Sequence, residues 1–379
     1  MRIIGSFSFI LFFYFVSNSQ VFMTDRIRFK DTVMVKKYIP TQNGFNALKV
    51  SMSPGGHHVL HENSLKKIKN QTIVGIDLVY TDYPKNANLH ELNRARIIEI
   101  YKHLPQAFDR GMVEWRIIKQ TGVHSKEQMK QFFHGCVVYY RPFQGFGAEQ
   151  EEISDVLNGK AKPKDSTLLK VFHRNKDWKN MLVVCDVTGS MSPYTAQLLL
   201  WIKANQKMKT FKQIVFFNDD DNRSTTQENG LDQTGIWPIE SENSNKVIQK
   251  AFEAMEKGQH EENNLEAICY AIKKFPENKE NVVMIADNWE DPCDMKLLHF
   301  LEEQKIPVKI VVCGVVDRIN LNYLKIAHKT GGSVHTMEED LYNISKIGEG
   351  QTFKIGKMRF KMSRGTFIQL NGSVNIDAK

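Results

Sequence analysis

Four short, almost uninterrupted apolar runs in the second half of the chain restrict its fold more than any other feature. Residues 181–187, 214–217, 282–286 and 308–312 contain few polar side chains. A strand with one wet face alternates, whereas a strand apolar on both faces must be covered on both, as helices do for a parallel sheet. Helical spacings lie between the runs. Ser192 and Pro193 open a helix through Leu198, Trp201 and Ile202, with a cap residue followed by a first-turn proline. Val247, Ile248, Ala251, Phe252 and Met255 mark a second helix, and Leu265, Ile268, Cys269 and Ile272 a third that Pro276 closes. Asp294 precedes a fourth with Met295, Leu298 and Leu301, and residues 321–328 form a fifth that Gly331 and Gly332 end, before a last strand at 333–336. The expected fold class is α/β, a Rossmann-like doubly wound and mainly parallel sheet over 166–345.

The 379 residues leave room for a second domain. From Thr72 the alternation of Val74, Ile76, Leu78 and Tyr80 predicts a strand. Asn88 is placed to cap a helix bearing Leu89, Leu92, Ile97, Ile100, Tyr101 and Leu104, and Val113, Trp115 and Ile117 predict a second strand. Ser125 with Gln128 suits a capping box for a short helix, and 136–140 is a third apolar run. This order predicts a small α/β domain over 72–165 with parallel pairing. Residues 21–71 read as irregular, and 144–165 as a junction without apolar period. Residues 167–172 suit a strand that joins either neighbour. The tail, 346–379, reads as a hairpin with Met358, Phe360 and Met362 on one face and Ser363, Arg364 and Gly365 at the turn.

Arg2, the apolar stretch 3–16 and the small polar stretch 17–20 read as a secretory signal over 1–20. The apolar stretch is shorter than the roughly 20 residues a membrane-spanning helix needs. The mature chain is therefore expected to be exported, whether periplasmic, surface-bound or secreted, with no transmembrane span. Lysine excess gives a net charge of +8, but no nucleic-acid motif accompanies it, and no nucleic-acid partner is expected. Five cysteines leave one without a mate, and no disulfide framework is expected; Cys293, in a polar loop, is the one to test for reactivity. His57, His58 and His61 lack further ligands at metal spacing and read as loop residues.

The strongest chemical signal is Asp186-Val-Thr188-Gly-Ser190-Met191, at the carboxyl end of the first of the four runs. A carboxylate and two hydroxyls, two residues apart on a turn, can aim oxygen at one point, as hard divalent cations require. Asp287 ends another run on the same edge, where open α/β sheets bind ligands. The competing reading is local: Asp186 caps the following helix while Thr188 and Ser190 bond the backbone of the turn. Asp219, Asp220, Asp221, Asp291 and Asp294 stand either as further carboxylates or as solvated acidic loops.

The Asp-x-Thr-Gly-Ser-Met motif, the Glu/Asn-rich helix entry at 261–267 and the strand ending in Ala286 and Asp287 resemble the von Willebrand factor A (VWA) domain over roughly 179–340. The resemblance implies a metal-ion-dependent adhesion site (MIDAS) for Mg²⁺, or alternatively Ca²⁺ or Mn²⁺. By position, Asp186, Thr188 and Ser190 would be first-loop ligands and Asp287 the third-loop ligand. The second-loop threonine of that family is missing, and Glu262 or Asn263 is the implied substitute, directly or through water. Such a site implies a protein partner engaged through an acidic side chain, in adhesion or complex assembly, with no catalytic residue. Two alternatives stand beside it. One is a metal-dependent hydrolase with His260, His299 or His335 as base. The other places function in the first α/β domain, whose tyrosines and Trp115 either line a groove or pack a core, with the second domain as scaffold. The pair His134 and Cys136 reads as loop and core, and no phosphate-binding glycine loop is present.

Overall fold

The computed structural model describes residues 29–40, 45–69, 71–87, 89–108, 112–142, 145–205, 211–218, 235–256 and 263–370. The segment 1–20 expected to be a secretory signal, Glu262, His260, Asn88 and Asp219 to Asp221 lie outside them. The chain divides into two compact units, Met1–Phe143 and Gln144–Lys379.

The first unit is built on one five-stranded sheet. Its strands are β1 (Phe29–Val35), β2 (Asn46–Ser51), β3 (Thr72–Thr81), β4 (Glu114–Gln120) and β5 (Gly135–Arg141), in the order β1-β4-β3-β5-β2. Helix α1 (Leu89–His103) links β3 to its parallel neighbour β4. Ile76, Leu78, Trp115 and Val138 turn to the same core as Ile97 and Ile100 of α1. Two expectations are corrected here. The stretch 21–71 is not irregular throughout: β1 pairs parallel with β4, and β2 antiparallel with β5. Both are sheet edges, so a single inward stripe suffices, and Leu48 and Val50 between lysine and serine are too sparse a signal to stand out. Pairing is also mixed, because β5 runs antiparallel to β3. The link 121–134 contains only the one-turn helix α2 (Lys126–Met129), too little to carry the chain back to the far end of the sheet.

The second unit centres on a seven-stranded sheet. Strands β6 (Met181–Asp186), β7 (Phe211–Phe217), β8 (Ile236–Glu240), β9 (Val282–Asp287), β10 (Val308–Cys313), β11 (Ser333–His335) and β12 (Asp340–Leu341) stand in the order β12-β11-β10-β9-β6-β7-β8. The run β11-β10-β9-β6-β7 is parallel, and the edge strands β8 and β12 are antiparallel to their neighbours. Pro238 sits in edge strand β8, where its missing donor breaks no ladder on the outer side. Alternate side chains of β6 enter two different cores. Met181, Val183 and Cys185 pack with helices α3 (Phe146–Leu157), α4 (Thr167–Arg174), α5 (Ser192–Ala204) and α6 (Ser244–Glu256). Leu182 and Val184 pack with α7 (Asn264–Lys274), α8 (Leu298–Glu303) and α9 (Leu321–Thr330). The protein is thus a mixed α/β fold whose larger sheet is mainly parallel and covered on both faces.

Three boundaries move. Residues 167–172 are helical, with Leu168, Val171 and Phe172 buried at i, i+3 and i+4. The supposed junction 144–165 holds α3, whose buried Ile153, Val156 and Leu157 all fall in its second half, behind a run of glutamates that hides the period. The second unit therefore begins at 144 rather than 166. The tail is a sheet of three strands, β13 (Thr352–Ile355), β14 (Met358–Ser363) and β15 (Thr366–Leu370), all antiparallel. Ile355, Phe360, Met362 and Phe367 join the core under α9, so the tail packs on the larger unit.

Candidate metal centre

Asp186 is the last residue of β6 and is fully buried. The ladder continues for one residue, with Val187 N donating to Phe217 O, and then the chain turns. Both donors of Thr188 converge on one carboxylate oxygen: its backbone N and its Oγ1 each lie 2.7 Å from Asp186 Oδ1. Ser190 Oγ is 3.4 Å from Thr188 Oγ1. A 3-10 turn, Gly189–Met191, closes with Met191 N on Thr188 O and feeds α5, whose first turn holds Pro193. Because Thr188 gives its hydroxyl proton to Asp186, its oxygen lone pairs remain to accept.

Asp287 ends β9, the strand next to β6, and is also fully buried. Its Oδ1 accepts from Trp289 N at 3.1 Å. Burial raises the Cys313 thiol well above its ordinary range, and Cys185, Asp165, Asp287 and Asp186 push it further the same way. Asp186 and Asp287 end parallel neighbouring strands and so lie at the same carboxyl edge of the sheet, and the 3-10 turn packs against β9.

The surrounding loops are tied together by named bonds. Trp289 Nε1 donates to Gly314 O at 3.0 Å, and Gly314 has φ +76° with Tyr194 Oη 3.2 Å from where a Cβ would stand. Asn288 donates to Arg318 O and accepts from Asn320 N. Asp291 accepts from Asn320 and Asn322. Asp294 reaches across to the start of α7, where its Oδ2 accepts from Glu266 N at 2.6 Å. Burial pushes the Asp294 carboxyl up to about 7. These bonds give Asp291 and Asp294 structural work in place of the solvated turn considered above. Asn263, the N-cap residue of α7, makes no side-chain cap bond, and its Oδ1 lies 2.9 Å from Cys293 Sγ.

Asp186, Thr188 and Ser190 thus meet on one turn, Asp287 ends the adjoining strand, and Asn263 touches the loop that follows Asp287. Glu262 lies outside the described residues. Every oxygen in this set is a carboxylate, hydroxyl or amide, the donors that hard divalent cations take. Among the described residues no group of three His, Cys, Asp or Glu converges, the histidines at 57, 58 and 61 included.

None of the five cysteines forms a disulfide, and Cys293 alone is exposed. Cys136 is pushed up to about 12 by burial, which keeps it a thiol, and His134 bonds Met129 O. Trp115, Tyr139 and Tyr80 are buried. His299 contacts Lys296 O.

Two buried clusters join residues that the sequence does not connect, although His335 stands among its candidate bases and Tyr139 among its tyrosines. Ser333 Oγ lies 2.7 Å from His335 Nε2, and His335 Nδ1 lies 2.9 Å from Asp340 Oδ1. The order copies a nucleophile, base and acid, but Ser333 is 5 % and His335 0 % exposed, beneath Trp178 and Tyr342. Arg174 grips Asp340 through Nε at 3.0 Å and Nη2 at 2.9 Å. A nucleophile needs a substrate within reach; this one braces α4 to β11 and β12. The alternation Ser333-Val-His335 on one strand face was its only sequence trace. In the first unit, Arg116 holds both oxygens of buried Asp77 at 2.7 and 2.8 Å, with Tyr38 and Tyr139 hydroxyls also donating to it.

No family model matches the chain, and no curated protein matches it. Among the described residues no helix is long and apolar enough to cross a membrane.

Proposed function

We propose that the second unit is a VWA-type domain that holds a divalent cation, Mg²⁺ with Ca²⁺ or Mn²⁺ as alternatives, on Asp186, Thr188, Ser190 and Asp287. Through it, the exported protein binds an acidic side chain of a protein partner. The observation that carries this reading is the double donation of Thr188 to Asp186 Oδ1, one strand away from a second buried carboxylate at the same edge. The strand order, with a central parallel run and an antiparallel strand beyond β7, also supports it.

The chain's own residues have distinct tasks. Asp186 orients Thr188 and thereby aims its hydroxyl oxygen. Asp287, oriented by Trp289 N, brings negative charge to the same edge. Asn263, at the start of α7 and beside Cys293, would serve as the second-loop ligand, with Glu262 as its alternative. The cation would supply an electrophilic point that a partner carboxylate can complete, since a shell rich in hydroxyls leaves positive charge and exchangeable water. The tied loops 288–294 and 314–322 would supply the specific rim.

Elemental analysis of the purified mature protein, with thermal melts in Mg²⁺ and in EDTA, tests the site. An ion that binds only the folded state raises Tm. Pull-down from the native envelope fraction tests the function: EDTA and Asp186→Ala should each release a partner. Ser190→Ala, at a half-buried position, separates ligand loss from misfolding. Equal capture by wild type and both variants would remove the adhesion reading, and metal-dependent turnover of an ester or phosphate would replace it with hydrolysis.

A further inference from the structure

The outward face of the C-terminal sheet carries cations that the fold does not use. Lys354 and Arg359 stand directly opposite each other on β13 and β14, and Lys361 follows two residues on, on the same face. Like charges directly opposite on a sheet destabilise it. By alternation the residues that share this face include no carboxylate, and among the described residues none of the three side chains forms an ion pair. Glu349, whose charge Lys361 feels, accepts the backbone N–H groups of Arg364 and Gly365 with its two oxygens. Beside the cations, Ile368 lies opposite Lys361 on β15 and is 40 % exposed.

Strand β15 is tied by its opposite, core-side face to the loop that borders the candidate metal centre. Gln369, next to Ile368, donates to Asp317 O at 3.0 Å. Val316, adjacent to Asp317, is 67 % exposed. Arg318, the next residue after Asp317, stacks 4.9 Å over Trp289, and its carbonyl accepts from Asn288.

We propose that the β13–β15 face is a second docking surface, for an extended acidic polypeptide segment with interspersed apolar side chains. Alternate residues of an extended strand repeat every ~6.8 Å, the same spacing at which Arg359 and Lys361 repeat along β14. Ile368 gives such a segment an apolar foothold that a bare polyanion would not use. An isoleucine lying within the sheet, instead of projecting from a loop, disfavours insertion into a bilayer. The proposal goes beyond the metal reading and does not depend on it.

The test is fluorescence anisotropy of the full mature protein with a labelled peptide alternating Glu and Val, in EDTA. Arg359→Gln with Lys361→Gln should weaken binding about ten-fold, since two exposed ion pairs with the peptide carboxylates are lost. Ile368→Ser should weaken it about three-fold, and salt should weaken wild-type binding. These side chains point away from the core, so folding is expected to persist. The proposal is overturned if the double variant binds unchanged, if the Gln-for-Glu peptide binds equally, or if heparin or phosphatidylglycerol vesicles bind as tightly. It is also overturned if the peptide binds only with Mg²⁺ and is lost in Asp186→Ala, which would assign the peptide to the cation. Failure of the metal reading alone leaves peptide binding in EDTA intact.

Discussion

At the scale of single residues, Thr188 separates the two readings of its turn. As a cap alone, its hydroxyl contributes one charge-assisted bond to Asp186 Oδ1. Thr188→Val keeps the shape and the backbone donor, and should cost about 1.5–3 kcal/mol in EDTA. If the hydroxyl is also a ligand, the Mg²⁺-induced rise in Tm disappears in the variant, which a melt with and without the ion reads directly. Asp294 sets a different expectation. Folded, it keeps its proton to about pH 7, whereas in an unfolded chain a carboxyl ionises near pH 4. Between those values the unfolded state holds fewer protons, so stability falls as pH rises through that window and is flat above it. Asp294→Asn should remove the fall, gaining Tm on wild type from pH 5 to pH 8 in EDTA; a constant difference would mean Asp294 is ionised throughout.

At the scale of elements, the rim depends on a backbone conformation. Gly314 follows β10 at φ +76°, with Trp289 and Tyr194 close by. Gly314→Ala should cost about 1–3 kcal/mol in strain and shift Trp289, which orients Asp287. Reduced stability with a weakened Mg²⁺ response, followed by calorimetry, is the expected result. Elements were legible where burial alone determined them. The strands β6, β9 and β10 are apolar on both sides and read as such, and the loop after β6 placed Asp186, Thr188 and Ser190 together through sequence spacing. Elements buried on one stripe were not. Edge strands β1 and β2 carry too few inward residues, and α3 keeps its apolar stripe for its last two turns. The bond between Cys293 and Asn263, and the reach of Asp294 to α7, join residues about thirty positions apart; no local pattern encodes such a pairing.

At the scale of the whole molecule, the two units have separate cores and separate buried polar clusters. Asp77 is fully buried and held by Arg116 within the first unit. Asp77→Asn leaves Arg116 without its counter-charge and should cost about 3–5 kcal/mol. On the proposed reading the cation binds the other unit, so the variant should keep the Mg²⁺ response of that unit's melting step, as differential scanning calorimetry would resolve. Loss of both together would show one cooperative molecule.

The placement of the cysteines has a practical corollary. Four are sealed in hydrophobic interior and the fifth, Cys293, is open to solvent against Asn263. A maleimide dye added to the native protein would mark that single position without engineering, and its emission would report in real time on whatever arrives at the neighbouring loops.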